Sequence, residues 1–301
     1  MIGFLGLLSI LLAGGCEPSS SSPPVADDSL RVVSLAPSIS RYVVDLGLGD
    51  RIVGKGEHDR SAPADVPVVG SIMNIQAEPL LAVDPNVVLV TAGAGGVPPR
   101  LTQLAGQDQF VLHRWSYPST VEESLNQLSA PAGKPDLPPD LGEVLGRPED
   151  AKQLRTQIEY QLTQLNQKLA DQPRPKVLLA FGYSPWMAAG PGSVLDDLLT
   201  RYLHADNAVG DAPISAPTLD REGLVAAAPD VIILLQPGGR PLKPLAEDDR
   251  LAALRGLDIP AVNDQRIYLV DDPECLLPSS NLPRTARQLA KRIHGAEVAS
   301  P

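Results

Sequence analysis

One thirteen-residue segment occurs twice in this chain in nearly the same form. EPLLAVDPNVVLV runs from Glu78 to Val90, and EGLVAAAPDVIIL runs from Glu222 to Leu234, 144 positions later (222 − 78). Each copy has apolar residues at helical spacing, then Pro followed by Asn or Asp, then an aliphatic run typical of a buried strand. A helix that leads into a buried strand is the repeating unit of α/β folds. The repeat therefore predicts two similar α/β halves.

Other short aliphatic runs, bounded by Gly, Pro or Asp, predict the remaining strands of two mostly parallel sheets. These strands are 31–35, 51–54, 66–70, 87–90 and 110–113 in the first half, and 176–182, 231–235 and 266–270 in the second. Helical patterns between them cover 39–48, 77–83, 193–203, 221–228 and 283–293. We expect two Rossmann-like lobes, an N-terminal lobe over 31–140 and a C-terminal lobe over 174–298.

A long helix is predicted in the segment 141–173 between the lobes. Its apolar residues recur every three or four positions: Leu154, Ile158, Leu162, Leu165 and Leu169. Pro148 suits its first turn and Pro173 follows its end. A helix this long, with one narrow apolar stripe, is typical of a backbone that connects two lobes.

The composition fits a packed core and excludes one class of partner. Of the 301 residues, 43% are hydrophobic and 20% are charged, as in ordinary globular proteins. The formal net charge of −11 argues against nucleic acid as a partner, because phosphate binding needs a basic surface.

The N-terminus resembles a bacterial lipoprotein signal. Residues 1–15 form a short apolar run that ends in small residues before Cys16, too short for a membrane span and typical of a signal peptide. The resemblance implies cleavage before Cys16 and lipid attachment to its thiol; the alternative is a plain secretory signal that is cleaved elsewhere. Residues 16–30 are rich in Ser and Pro and predict a flexible tether. We expect the lipid to be the only attachment of the protein to a membrane.

The two repeated glutamates are predicted to lie in the first turns of their helices, with Asn74 and Thr218 as the N-caps. A carboxylate at this end of a helix is favoured by the helix dipole by about 0.3–1 kcal/mol, which is one explanation of both residues. The dipole alone does not explain why the two copies use Glu at the same position.

The order of these features resembles that of periplasmic substrate-binding proteins of the helical-backbone class, which serve ABC importers of cobalamin, ferric siderophores and haem. The motifs that carry the resemblance are RVVSLAPSIS (31–40), LGLGDRIVGKGEHD (46–59), VPVVGSIMNIQAEPLLAVDPNVVLV (66–90), VLLAFGYSPWMAAGPGSVLDDLL (177–199) and APTLDREGLVAAAPDVIIL (216–234). The resemblance implies the class III periplasmic-binding-protein fold and an extracytoplasmic receptor that works as a monomer.

The resemblance also assigns residues. Glu78 and Glu222 match the positions that dock onto arginines of the two permease subunits. Loops at the carboxyl ends of strands are implied to line a ligand cleft, and from them we take as candidates Pro37, Ser38, Arg41, His58, Asp59, Met73, Asn74, Tyr183, Trp186, Glu274 and Cys275. Trp115 and Tyr117 are weaker candidates. Corrinoid is the leading ligand, followed by a ferric siderophore and then haem. Arg41 would suit an anionic group: a carboxylate, a catecholate siderophore or haem propionates.

A metalloprotein, an enzyme and a scaffold or structural protein are the alternatives. The two-lobe layout, which places a cleft between similar halves, argues against a scaffold. The four histidines have no metal-binding spacing, although His58 or Cys275 could serve as an axial ligand to a bound chelate. The chain lacks Gly-x-Ser-x-Gly, and GAGG at 93–96 is not a complete dinucleotide motif. We therefore expect no catalytic residues, no metal site of the protein's own, no cofactor and no enzymatic activity.

Overall fold

The computed structural model describes residues 29–93, 95–107, 109–131 and 138–295. The N-terminal lobe contains, in chain order, β1 (Val32–Ser34), α1 (Pro37–Asp45), β2 (Ile52–Lys55), β3 (Gly70–Ser71), β4 (Asn74–Ile75), α2 (Ala77–Ala82), β5 (Val87–Ala92), α3 (Pro99–Ala105), β6 (Val111–Ser116), α4 (Val121–Leu128) and α5 (Leu141–Val144). The long helix α6 (Pro148–Leu169) follows. The predicted signal, tether and Cys16 lie outside the described residues, apart from the last two positions of the tether.

The C-terminal lobe repeats this alternation. It contains β7 (Lys176–Tyr183), β8 (Trp186–Ala188), α7 (Val194–Asp197), β9 (Asp206–Asn207), β10 (Thr218–Leu219), α8 (Arg221–Ala227), β11 (Val231–Leu235), α9 (Pro260–Asn263), β12 (Ile267–Val270) and α10 (Leu282–His294). A π-helical turn, Leu198–Tyr202, continues α7. Short 3₁₀ turns occur at Gly49–Arg51 and Asp249–Leu254.

Each lobe has one mostly parallel sheet. In the N-terminal lobe the strand order is β2-β1-β5-β6, and every pair is parallel. In the C-terminal lobe β7, β11 and β12 are parallel neighbours, β9 pairs with β7, and β8 and β10 add an antiparallel extension. The predicted α/β architecture of two lobes joined by one long helix is confirmed.

The repeated segments adopt matching backbone conformations. Glu78 and Glu222 are each the second residue of their helix, α2 and α8. Asp84 and Ala228, which are also 144 positions apart (228 − 84), both take the left-handed conformation, with φ of 46° and 41°. Few side chains tolerate this conformation, so its recurrence shows that the two copies share a backbone path as well as a pattern.

The Asn or Asp after the repeated proline ties each unit to the first strand of its lobe. The backbone N–H of Arg31 donates to Asn86 Oδ1 at 2.9 Å, and that of Lys176 donates to Asp230 Oδ2 at 2.8 Å. The return bonds run from the N–H of Asn86 to Arg31 O and from that of Asp230 to Lys176 O. These paired bonds align β5 with β1 and β11 with β7.

Helix α6 contacts both lobes. Towards the N-terminal lobe, Arg155 donates to Asn126 Oδ1 at 2.7 Å and to Ser129 O at 2.6 Å. Towards the C-terminal lobe, Gln161 accepts a 2.9 Å hydrogen bond from Arg287. The predicted stripe is buried at Ile158, Leu162, Leu165 and Leu169, and Leu154 is partly buried against it. At 1.5 Å per residue, its 22 residues extend about 33 Å.

This stripe belongs to an apolar core that both lobes share. The same cluster contains Ile39 and Leu125 from the N-terminal lobe and Val177 and Leu199 from the C-terminal lobe. Two further clusters lie in single lobes, one around Val33 and Leu80 and one around Leu178 and Leu224. Each sheet is therefore covered on both faces, and the covering of one face is shared through α6.

Three local predictions are wrong. Residues 66–70 do not form a full strand: Val68 makes a single parallel bridge with Lys55 of β2, and only Gly70 enters β3, where the segment turns back into a short hairpin with β4. Gly70 has φ of +109°, and an added Cβ would lie 2.5 Å from Asn74 O, so this turn requires glycine. Asn74 and Thr218 are not N-caps, since they lie in β4 and β10; the N-caps are Gln76 and Asp220.

Among the helices of the described residues, none has the length and hydropathy of a membrane span.

We predict that Leu162→Ala lowers the free energy of unfolding by about 2–5 kcal/mol, because it opens a cavity in the core that both lobes share. Tyr160→Ala on the same helix is the control. The Tyr160 side chain is 64% exposed, so this variant should lie within about 0.5 kcal/mol of the parent. Denaturant unfolding followed by circular dichroism measures both. Equal losses of unfolding free energy in the two variants would contradict the conclusion that the apolar stripe of α6 stabilises the core.

Candidate functional site

The carboxyl edges of the two parallel sheets face one another and form a cleft. Ser61 follows β2 in the N-terminal lobe, and its hydroxyl donates to Glu274 Oε1, which follows β12 in the C-terminal lobe, at 2.8 Å. A Cβ added at Gly238, in the loop after β11, would lie 3.2 Å from Arg60 Nη1. Loops at carboxyl ends of parallel strands are where α/β proteins bind ligands, so this cleft is the candidate site.

The loop after β2 is organised around a buried carboxylate. Asp59 Oδ1 accepts the backbone N–H groups of Ser61 and Ala62 at 2.9 and 3.1 Å, and Oδ2 accepts the Ser40 hydroxyl at 2.5 Å. The buried Lys55 ammonium donates to Pro63 O at 2.7 Å and closes the same loop. Asp59 was expected to contact the ligand, but its oxygens are used within the protein. Its observed role is to hold the loop.

The two residues that flank Asp59 are exposed. His58 is exposed and has φ of 63°, and Arg60 is also exposed. Pro37 starts α1, beneath the loop, and Ser38 is buried in the first turn of that helix. Of the predicted residues in this wall, His58 is the one with a side chain free to meet a ligand.

Arg41 is not an unpaired cation. Its guanidinium hydrogen-bonds both carboxylate oxygens of Asp45, and its Nη1 lies 3.8 Å from Glu274 Oε1. The hydrogen bond with Asp45 is the main reason that the pKa of Arg41 is raised. Arg41, Ser61 and Glu274 together form a contact between the lobes, so the predicted cation in the cleft is largely neutralised here.

Met73 and Asn74 lie at the tip of the hairpin between β3 and β4. The Met73 side chain is 88% exposed, and the Asn74 N–H donates to Ser71 Oγ at 3.2 Å. Both are accessible, and their predicted contact with a ligand stays a prediction.

In the C-terminal wall the structure separates two aromatic candidates. Tyr183 ends β7 and is 40% exposed. Trp186 is 3% exposed in the core of that lobe, and its Nε1 has no hydrogen-bond partner among the described residues. Trp186, a predicted ligand contact, is therefore inside the lobe in this structure, where it pairs with Leu219 of β10 in the sheet extension.

Cys275 is also buried. Its side chain is 1% exposed, its Sγ contacts Val270 O at 3.8 Å, and burial raises the pKa of the thiol to about 12. A thiol that stays protonated is a poor metal ligand, so this geometry does not support Cys275 as an axial ligand to a bound chelate.

Two cavities open beside the carboxyl ends of the strands. One, of about 260 Å³, lies at the end of β6 in the N-terminal lobe and is lined by Trp115, Ser116, Tyr117, Pro118, Glu123, Asn126, Gln127 and Pro138. The other, of about 310 Å³, lies in the C-terminal lobe and is lined by Tyr183, Gln236, Arg240, Pro241, Lys243, Glu247, Asp248, Asp249 and Arg250. The first has an exposed aromatic ring in Tyr117, and the second is rich in charge.

Glu78 and Glu222 are both exposed, one on each lobe. In both helices the leucine two residues later, Leu80 or Leu224, is fully buried. One residue further on, an aliphatic side chain is exposed: Leu81 in α2 and Val225 in α8. Each lobe therefore presents the same small surface, a carboxylate beside an exposed aliphatic group.

A search of the described residues finds no cluster of three or more His, Cys, Asp or Glu that could hold a metal ion.

A family model described as periplasmic binding protein matches residues 32–274. The chain belongs to the periplasmic binding protein family. A vitamin B12-binding protein from Photorhabdus laumondii is 26% identical over 235 residues, which cover 77% of this chain and 78% of that protein. Family membership supports a solute-binding protein and not an enzyme, and it implies an extracytoplasmic location.

Solved structures show the same fold. The periplasmic heme-binding protein RhuT from Roseiflexus sp. RS-1, in apo form, has a TM-score of 0.71 and is 24% identical in sequence. The matched region covers 90% of this chain and 100% of the RhuT chain. The periplasmic vitamin B12 binding protein BtuF of Vibrio cholerae has a TM-score of 0.68 and is 18% identical in sequence. The matched region covers 87% of this chain and 96% of the BtuF chain. The expected class III fold is thereby confirmed.

Sequence reasoning missed the loop after β11. Its signal is present in QPGGRPLK (236–243), where a Gly-Gly turn directly follows a buried strand and precedes two cations, Arg240 and Lys243. The rule that ligands lie at carboxyl ends of strands applies to β11 as well, and it would have included these residues. Arg60 has no sequence signal that distinguishes it from its neighbours His58 and Asp59.

We predict that Cys275 in the native protein reacts with iodoacetamide at pH 8 far more slowly than in the unfolded chain. With a pKa of about 12, only about one thiol in ten thousand is ionised at that pH, and the side chain is buried. Peptide mass spectrometry distinguishes its label from any at Cys16. Equal labelling with and without guanidinium would mean that this loop is open and that Cys275 is accessible to a ligand.

Proposed function

We propose that this protein is an extracytoplasmic solute receptor that binds a corrinoid or another chelated-metal nutrient in the cleft and delivers it to an ABC permease. The observation that carries the proposal is the pair of opposed carboxyl edges, held a short distance apart by Ser61 and Glu274, in a chain of the periplasmic binding protein family. The nutrient is cargo and leaves unchanged, so the protein needs no cofactor and no catalytic residues.

Accessible aromatic and imidazole groups support a flat chelate as the ligand. Tyr183 and Tyr117 are exposed at the carboxyl ends of β7 and β6, and His58 is exposed after β2. Aromatic faces with a few polar groups suit a macrocycle or a planar chelate. The relative from Photorhabdus laumondii makes a corrinoid the first candidate, and RhuT keeps haem as an alternative beside ferric siderophores.

Glu78 and Glu222 are the proposed contacts with the permease. Their carboxylates are exposed at equivalent positions of the two lobes, which suits a partner built from two similar subunits. Carboxylates can pair with arginine through two hydrogen bonds, which fixes orientation as well as adding energy. Leu81 and Val225 would add a small apolar contact beside each pair.

Attachment to the membrane is proposed to occur through lipid on Cys16 alone, after removal of residues 1–15, with residues 16–30 as the tether. The receptor is proposed to work as a monomer. A two-lobed chain already contains both docking surfaces, so a second copy is not needed to match a permease with two subunits.

We predict saturable one-to-one binding of cyanocobalamin at micromolar concentration or tighter in isothermal titration calorimetry. Haemin and ferric catecholate and hydroxamate siderophores are the parallel ligands. Tyr183→Ala should weaken binding about tenfold, or about 1.4 kcal/mol, through loss of an aromatic contact. Tyr160→Ala makes the same substitution on the exposed face of α6 and should leave affinity unchanged. If only an iron chelate binds, that chelate replaces the corrinoid as the proposed ligand. If none of the ligands binds, the proposal is refuted.

We predict that Glu78→Lys and Glu222→Lys together reduce solute uptake by cells at least about tenfold, because each turns an attraction to arginine into a repulsion. Solute affinity of the purified variant should be unchanged. Glu149→Lys is the matched control, since Glu149 is also an exposed glutamate at the second position of its helix, α6. Normal uptake by the double variant would exclude these two residues as the docking contacts.

A further inference from the structure

The loop after β11 (236–243) turns sharply at the rim of the cleft. The Gly238 N–H donates to Asp271 O at 2.8 Å, and the Gly239 N–H donates to Gln236 O at 2.7 Å. Gly238 has φ of 67°, which glycine adopts without strain. These bonds tie the turn to the end of β12 and direct the following residues towards the cavity lined by Tyr183.

An ion pair beneath the loop holds its backbone. Arg250 donates to Arg240 O at 2.8 Å and to Pro241 O at 2.9 Å. The same guanidinium makes two hydrogen bonds with Asp248, which also accepts the Lys243 N–H at 2.9 Å. The hydrogen bonds from Arg250 hold the pKa of Asp248 well below its usual range, so this support stays charged at neutral pH. The loop is therefore ordered before any ligand arrives.

This arrangement leaves two cations available at the cavity. Within the described part of the chain, the side chains of Arg240 and Lys243 have no hydrogen bond and no ion pair, and both residues are exposed. Of the carboxylates that line the cavity, Asp248 is paired with Arg250, and Asp249 lies 3.7 Å from Arg255. Glu247 is the remaining carboxylate, and the two cations outnumber it.

A third cation comes from the opposite lobe. Arg60 Nη1 would lie 3.2 Å from a Cβ added at Gly238, so its guanidinium approaches the turn across the cleft. Arg60 is exposed, and its side chain makes no ion pair with a described residue. Exposed cations from both lobes thus lie beside the same loop, in a chain whose formal net charge is −11.

We propose that Arg240 and Lys243, with Arg60 from the other lobe, bind an ionised oxygen group on the edge of the solute. Desolvated or clustered cations in a cleft attract anions and fix their orientation, and arginine can bind carboxylate or phosphate through two parallel hydrogen bonds. This inference rests on the proposed function and adds the chemical class of the group that is recognised. A carboxylate, a phosphodiester and a catecholate all supply that chemistry.

The test compares charged ligands with charge-stripped partners. Haemin is paired with its dimethyl ester, and cyanocobalamin is paired with dicyanocobinamide, which lacks the nucleotide and with it the phosphodiester. Ferric enterobactin represents the catecholates, has no partner, and is assessed by its loss of affinity and of salt dependence in the cleft variant (Arg240→Gln/Lys243→Gln) alone. Each is titrated into the purified wild type, an Arg240→Gln/Lys243→Gln variant and a control variant. The control, Lys152→Gln/Lys291→Gln, removes the same charge at two exposed helix positions, in α6 and α10.

For the charged ligand that the wild type binds, the cleft variant should lose at least tenfold in affinity and most of the dependence on salt. The control variant should keep both. The charge-stripped partner of that ligand should bind wild type and cleft variant equally, and the identity of the ligand tells which source supplies the anion. Equal losses for both members of a pair, or no loss for either, overturn the inference and leave the receptor function intact. If the wild type binds only a ferric hydroxamate siderophore, the inference is overturned and the receptor function stands; if it binds none of these ligands and no hydroxamate either, both are overturned.

Discussion

The apolar stripe of α6 is the contact on which the rest of the structure depends. Because Ile158 and Leu162 bury against residues of both lobes, neither sheet has a complete covering without the helix. Arg155 and Gln161 add polar contacts to either side. The orientation of the lobes is thus largely set by core packing, and further bonds between the lobes, such as that from the Val121 N–H to Asp197 Oδ2 at 2.9 Å, reinforce it. Closed packing of this kind favours small changes in the cleft over wide opening.

Within that frame, each wall of the cleft uses a buried carboxylate to order a loop. Asp59 accepts hydrogen bonds from backbone N–H groups after β2. Asp248 accepts such bonds in the segment that supports the loop after β11. In both walls the exposed cations lie next to the ordered turn and not in its centre. Side chains presented by a loop that is already held need little further ordering when they bind, so less of the binding free energy is lost as entropy.

The two lobes could be predicted from the sequence because the repeated segment contains the residues that determine its local structure. Its proline and its Asn86 or Asp230 mark the entry to a buried strand, and the structure uses those side chains to tie the strands together. Side-chain exposure was harder to predict. Trp186 looked like a loop residue, yet β8 and β10 pair there and bury the indole, and Arg41 looked unpaired although Asp45 lies one turn away. Such outcomes depend on contacts between segments that are distant in the sequence, which local patterns do not contain. The identity of the ligand depends on the detailed shape of the cleft.

The shared core also bears on how the protein is made. Synthesis from the N-terminus produces β1 to β6 before it produces Val177 and Leu199. Until those residues are present, part of the apolar surface of the first lobe is uncovered. Only the arrival of α6 and the second sheet closes that surface. For a polypeptide that crosses a membrane before it folds, a core that is completed late delays compaction, and the second half of the chain, from α6 onwards, is the part that completes the native core.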